Sequence, residues 1–311
     1  MKQWLITGII SSAVLLLAFH AEEPLTRAQL GEKLFFDPVL SADRTISCAS
    51  CHKPEFAFAD TAALSKGIHG RPTKRNTPAL TNQSGRPNYF WDGRASTLEE
   101  QAKQPIIAAD EMGLPIAEAL QRLNNDSGYV RAFRKLFNSV PTEKSLLQAL
   151  AAFERTLETA NSPYDRYIAG DDQAITPEAA RGRLLFIGKA NCSNCHSGED
   201  FTADRFKNIG LYNGTTLTDA GRFDITHDSA QLGFFKVPGL RNVAVTAPYM
   251  HNGMFKTLRE VIMYYNKPDA FVQDGLKRDL SLNEPLNLTD TEVNELEAFL
   301  KTLTDDRFIN Q

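Results

Sequence analysis

Apolar residues recur at helical spacing in several stretches of this chain. Leu146, Leu147, Leu150, Phe153 and Leu157 form one stripe, and Val293, Leu296, Leu300 and Leu303 form another near the end. A period near 3.6 predicts amphipathic helices that bury one face. Helix starts are marked by side chains able to cap free N–H groups. Thr26 and Gln29 have the capping-box spacing, with Leu25 and Leu30 placed as a staple. Thr142 stands before the first stripe, and Thr176 precedes a first-turn proline, Pro177. Thr257 with Glu260, and Thr289 with Glu292, repeat the box. Alternating strand patterns are scarce, and long segments rich in Gly, Pro, Asn and Asp separate the helices. The pattern predicts a mainly α chain with long loops. Loops of that length imply that something other than side chains fills the core.

The chain also repeats itself. Gly31-Glu32-Lys33-Leu34-Phe35 precedes Cys48-Ala49-Ser50-Cys51-His52, and Gly182-Arg183-Leu184-Leu185-Phe186 precedes Cys192-Ser193-Asn194-Cys195-His196. The first copy carries an insertion between its glycine and its first cysteine. All four cysteines lie in these two motifs. At this composition a chance Cys-x-x-Cys-His is expected in about one such chain in a thousand, so two matches are informative. Cysteines one helical turn apart can each form a thioether with a haem vinyl group, and the adjacent histidine reaches the iron. A four-cysteine zinc site would leave both histidines unexplained. Thiol redox chemistry would want a βαβ setting that the pattern lacks. The reading is two covalent c-type haems with His52 and His196 as proximal ligands, every thiol consumed and no disulfide.

Length, charge and the amino terminus narrow the picture. At 311 residues, two domains are the prior. Lys+Arg 34 against Asp+Glu 38 gives a net charge of −4, which argues against a nucleic-acid partner. Lys2 followed by the apolar run Trp4–Phe19 reads as an export signal over residues 1–21, with an uncleaved inner-membrane anchor as the alternative. Both readings place the mature chain in the periplasm. A boundary is expected where Pro163, Gly170, Asp171 and Asp172 cluster.

The segments Leu34-Phe35-Phe36-Asp37, Arg75-Asn76-Thr77-Pro78, Phe90-Trp91-Asp92-Gly93-Arg94, Leu98-Glu99-Glu100-Gln101-Ala102, Glu111-Met112-Gly113, and Phe235-Lys236-Val237-Pro238 through His251-Asn252-Gly253 resemble the bacterial dihaem cytochrome c peroxidases and MauG-type enzymes. The resemblance covers nearly the whole mature chain. It implies two cytochrome c-like domains, each built round one covalent haem: 22–165 with the peroxidatic haem and 166–311 with the electron-transfer haem. It implies that Glu111 is the acid/base on the peroxide side of the first haem, since cleaving an O–O bond requires a proton to move between oxygens. It implies that Gln101 hydrogen-bonds the bound oxygen species, that Pro105 shapes the same wall, and that Trp91 relays electrons between haems. Taken alone, these residues would read as a surface glutamate, a helix-surface glutamine and a packed tryptophan.

Fourteen residues beyond His251, where some members have methionine, this chain has Tyr265; MauG-type members have tyrosine there. Helix geometry agrees independently. Leu258, Val261, Ile262 and Tyr265 share one stripe, while Tyr264 lies about 100° away. Met254 and Met263 are the other candidate ligands in this stretch. Asn76, Thr246 and Pro248 match the family's calcium site, an oxygen-only set suited to a hard cation. Some members have a histidine in this loop that ligates the first haem at rest; His69 stands here between glycines, one residue nearer Asn76 than in that pattern, and reads equally as a loop histidine near a haem edge. His227 reads as a surface residue and His251 as structural or near a haem propionate.

The leading reading is a periplasmic peroxidase that reduces hydrogen peroxide with electrons from a small cytochrome c or cupredoxin. A MauG-like enzyme that oxidises residues of a partner protein is the second reading, and a non-catalytic electron carrier is the third. The family also includes homodimers, for which the chain carries no signature of its own.

Overall fold

The computed structural model describes residues 25–309; the expected signal segment lies outside them. The chain is mainly helical. In order, the helices are α1 (Arg27–Phe36), α2 (Cys48–Cys51), α3 (Leu98–Ile107), α4 (Ile116–Asn124), α5 (Ser127–Phe137), α6 (Glu143–Glu154), α7 (Pro163–Ile168), α8 (Pro177–Ile187), α9 (Phe223–Thr226), α10 (Leu258–Asn266) and α11 (Asp290–Lys301). Among the described residues the only sheet pairs β1 (Phe206–Lys207) with β2 (Phe235–Lys236). The expected caps are in place. Thr26, Thr142, Thr257 and Thr289 each accept from the N3 backbone N–H while the N3 side chain returns the bond, and Thr176 accepts from Ala179. Each such cap is worth about 1 kcal/mol.

Two hydrophobic clusters organise the molecule. The first gathers Leu30, Leu34 and Phe35 from α1 with Leu146, Leu150 and Phe153 from α6, together with residues of α3, α4 and α5. The second gathers Phe186 from α8 with Val293, Leu296, Phe299 and Leu300 from α11, and Leu258 and Ile262 from α10. The stripes read from sequence are the buried faces. α7 places the Tyr164 ring 5.5 Å from Phe299 and 5.4 Å from Phe201, so the chain joins the second cluster just after residue 160.

The sequence repeat has a physical cause here. α1 crosses α6 at Gly31, where an added Cβ would run into the Ala149 carbonyl and stand 2.9 Å from Phe153 Cβ. α8 crosses α11 at Gly182 in the same way, against the Glu295 carbonyl and 2.9 Å from Phe299 Cβ. Each glycine lets two backbones touch. The leucine and phenylalanine that follow it then seat in the cluster beside the crossing.

This predicts that Gly31→Ala and Gly182→Ala each destabilise the holoprotein by about 1–3 kcal/mol, the usual cost of overpacking a tight contact. Thermal melts check it. Unchanged midpoints would show that the helices do not need this approach.

Candidate functional site

A single cavity of about 970 Å³ runs between the two clusters. Both Cys-x-x-Cys-His motifs face it. Ser47 caps α2, which carries Cys48 and Cys51, and His52 follows at its end. His52 Nδ1 lies 2.8 Å from the Phe58 carbonyl. A carbonyl only accepts, so Nδ1 carries the proton and Nε2 keeps its lone pair for a metal. His196 repeats the arrangement, with Nδ1 3.1 Å from the Phe201 carbonyl and 3.2 Å from that of Pro238. Burial holds both imidazoles below the ordinary histidine range, which favours the neutral, ligating form.

None of the four cysteines is in a disulfide. Burial pushes the Cys48 and Cys192 thiols up to about 12 and Cys51 to about 11. A redox thiol needs the opposite shift. The two cysteine pairs do not converge: no cluster of three or more His, Cys, Asp or Glu suited to a metal ion occurs among the described residues. Two separate thiol pairs, each beside an imidazole with a free Nε2 on a large cavity, form a donor set that fits a c-type haem twice over.

Gln101 on α3 and Glu111 just after it line the same cavity, and the charge of Glu111 is felt at Cys48 and Cys51. Pro105 interrupts the end of α3, and the chain then turns tightly. Met112 N–H donates to the Pro105 carbonyl at 3.1 Å and Glu111 N–H to that of Ala108 at 3.0 Å. Ile68 N–H donates to the Glu111 carbonyl at 2.8 Å and fixes the turn from outside. Burial raises the Glu111 carboxyl above its ordinary value; Asp110 adds to the rise and Arg94 opposes it.

Trp91 also lines the cavity. Its Nε1–H donates to the Asn76 carbonyl at 2.9 Å. Its ring meets His251 edge-on at 6.5 Å, and His251 stacks on Phe235 at 3.7 Å. Burial lowers His251 to about 4, so it is a neutral aromatic here. Asn76, Thr246 and Pro248 share this wall.

Near the second motif the inward face of α10 is the expected one. Leu258, Val261, Ile262 and Tyr265 all line the cavity; Met254 and Met263 do not. Burial raises the Tyr265 phenol strongly, with Tyr264, Cys192 and Cys195 adding. Tyr264, off that stripe, is fully buried on the helix's other side against Leu211, Phe255 and Val272, and its hydroxyl donates to the Ile209 carbonyl. α10 is thus covered on two faces, which a single stripe does not anticipate.

Two histidines stay out of the site. His69 is exposed, with Nδ1 3.7 Å from Asp43 and no share in the cavity wall; His227 is exposed on a surface turn.

Three features were missed from sequence. Arg75 bridges Asp92 at 2.5 Å and Asp219 at 2.7 Å, tying residues 144 positions apart. Lys236 is half-buried 3.7 Å from Asp204, and the loss of solvent lowers it to about 8. Glu154 is buried on the cavity wall. Its one sequence signal is position: it continues the apolar stripe Leu147, Leu150 as a carboxylate.

The chain is similar to proteins whose chemistry is known. Residues 26–173 match the model of the di-haem cytochrome c peroxidases. The chain is 39% identical over 286 residues to the methylamine utilization protein MauG of Methylorubrum extorquens, covering 90% of this chain and 79% of that one. It is 35% identical to the cytochrome c551 peroxidase of Nitrosomonas europaea, covering 90% and 80%. The solved structure of a MauG-like protein associated with microbial copper homeostasis superposes with a TM-score of 0.83 at 35% identity, covering 92% and 93%.

Arg75→Met leaves two carboxylates without their shared cation, and about 3–5 kcal/mol of stability should be lost at pH 7. Burial alone would raise Asp219, but the hydrogen bonds and charge of Arg75 outweigh it and hold the group low. That contribution is present above the unfolded carboxylate pKa and is lost as pH falls through the depressed one. The gap in melting temperature between wild type and variant should therefore narrow below about pH 4. A gap independent of pH would remove the ion pair as its cause.

Proposed function

This chain belongs to the di-haem cytochrome c peroxidase family, and from that premise we propose that it reduces hydrogen peroxide to water in the periplasm with electrons from a small cytochrome c or cupredoxin. Two haems come with the family. We take each to be bound through thioethers, to Cys48 and Cys51 with His52 as ligand, and to Cys192 and Cys195 with His196 and Tyr265. The two halves of the chain, joined near residues 161–176, would each form one haem domain. When bound, the first haem supplies the iron at which the peroxide O–O bond is cleaved, and the second exchanges electrons with the donor.

The observation that supports this reading best is that Glu111 and Gln101 line the cavity that both motifs face, with the charge of Glu111 felt at Cys48 and Cys51. Glu111 takes the proton from one peroxide oxygen and delivers it to the departing one. Its raised carboxyl favours this, because a pKa nearer the working pH serves both halves of the transfer. Gln101 offers an amide N–H to the bound oxygen. Trp91 lies against the backbone of Asn76 and the ring of His251, with the second motif on the same cavity, and passes electrons across. The Asn76 side-chain oxygen and the carbonyls of Thr246 and Pro248 would hold one calcium ion beside this crossing.

A MauG-like reaction, in which a partner protein is oxidised in place of a small donor, is the second reading. It is favoured by the Tyr265 phenol on the cavity wall beside Cys192 and Cys195, since a phenolate ligand stabilises oxidised iron.

Glu111→Gln should lower peroxide turnover with a reduced cytochrome c donor by about 10²–10⁴-fold while leaving both haem spectra in place. Inactivity of the wild type with every donor would sink the peroxidase reading. Tyr265→Phe should alter the spectrum of the second haem and leave the first untouched; an unchanged spectrum would remove Tyr265 as a ligand.

A further inference from the structure

The last residue of α6 is a carboxylate that no step above uses. Glu154 is 5% exposed and lies on the wall of the common cavity, one turn beyond Leu150, which lines the same wall. Its Oε2 is buried without a hydrogen-bond partner. The titratable and charged groups around it are few. Arg155, next on its own helix, is turned outward into a two-pronged bond with Glu99 of α3, at 2.9 Å to each carboxylate oxygen. Tyr89 faces it from the loop before α3, with its hydroxyl committed to the Gln83 carbonyl at 3.0 Å. Cys48 faces it from α2, and the charge of Glu154 is felt at that thiol. Other buried carboxylates of this chain have a cation against them: Asp60 has Lys53 at 2.7 Å, Asp92 has Arg75 and Glu295 has Arg181. Glu154 has none of its own.

A buried carboxylate without a counter-ion is costly, and the group escapes that cost by binding a proton. The balance changes if a positive charge appears nearby. Cys48 is one attachment point of the first haem on the proposed reading, and ferric iron carries one more positive charge than ferrous.

Resting on that dihaem reading, we infer that Glu154 is a redox-linked proton site for the first haem. The Glu154 carboxylate would take up one proton as the first haem, held at Cys48, gains one electron from the protein donor, and the carboxylic acid would release that proton as the electron leaves. No bond other than the Glu154 O–H forms or breaks. The group thereby keeps the charge inside the cavity constant through the electron cycle.

The test is a spectroelectrochemical titration of the holoprotein, following the first haem's absorbance across pH 6 to 9, a span that brackets the value of about 8 to which burial raises Glu154. In the wild type the midpoint should fall as pH rises within this range, because reduction carries a proton with it. In Glu154→Gln and in Glu154→Leu, which suits an apolar site, that slope should be lost. Redox-difference infrared spectra of the wild type should show a protonated-carboxyl C=O stretch appearing on reduction, and neither variant should show it. A flat wild-type midpoint, an unchanged slope in either variant, or no carboxyl band in the wild type would each overturn the inference. The infrared readout needs only the wild type, so it stands even if both variants fail to fold. The haem content and peroxide turnover of the wild type test the parent reading separately, and either result is independent of the slope.

Discussion

Each half of this molecule hangs on a helix crossing in which two backbones touch through a glycine. At Gly31 and Gly182 the partner is a bare carbonyl, and no side chain larger than hydrogen fits between. The contact sets the separation of α1 from α6 and of α8 from α11. That separation positions Phe35 and Phe153 in one half, and Phe186 and Phe299 in the other, as aromatic floors with ring centroids 5.1 and 5.2 Å apart. The floors support the Cys-x-x-Cys-His turns, and the turns face the cavity. The long loops make sense within this frame. They enclose a space too large for side chains to fill.

Much of this was legible in the sequence because it depends on local chemistry. Capping boxes, apolar stripes and the paired motifs act over a few residues, and the helices begin where Thr26, Thr142, Thr257 and Thr289 placed them. The stripe of α10 separated Tyr265 from Tyr264 by angle alone. What stayed hidden depends on partners distant in the chain. Nothing near Arg75 announces Asp219, and nothing near Arg86 announces Asp200 and Asp204. Glu154 was hidden for another reason. Its position on the stripe said buried and its side chain said exposed, and only the packing decides such a conflict. Glu111 and Gln101 owed their reading to resemblance, because a glutamate beside an aspartate carries no physical signal of its own.

The interface between the halves is built differently from their interiors. The clusters are apolar and locally encoded, whereas the seam carries ion pairs: Arg75 reaches across to Asp219, and Arg86 to Asp200 and Asp204, while Asp92 on one side and Arg241 on the other hold these partners in place. Arginine suits this role because its planar fork can hold two carboxylates in fixed directions. The arrangement fixes how one half sits on the other without adding a third apolar core. It also surrounds the cavity's midsection with charges that are already compensated, leaving His251 and Phe235 as a neutral aromatic stack beside Trp91.

The hydrogen bond from Trp91 has a consequence of its own. Its acceptor is the main-chain carbonyl oxygen of Asn76, a group that can attract a proton but is far too weak a base to keep one. An indole that loses an electron becomes acidic, and a carboxylate or imidazole at that spot would strip its proton and trap the ring as a neutral radical. With an amide there, the proton stays on the ring and the lost electron can be replaced at once. On the proposed function the molecule would thus divide its traffic, with charge moving through an aromatic ring whose neighbour refuses the proton and protons moving through carboxylates set apart from that ring.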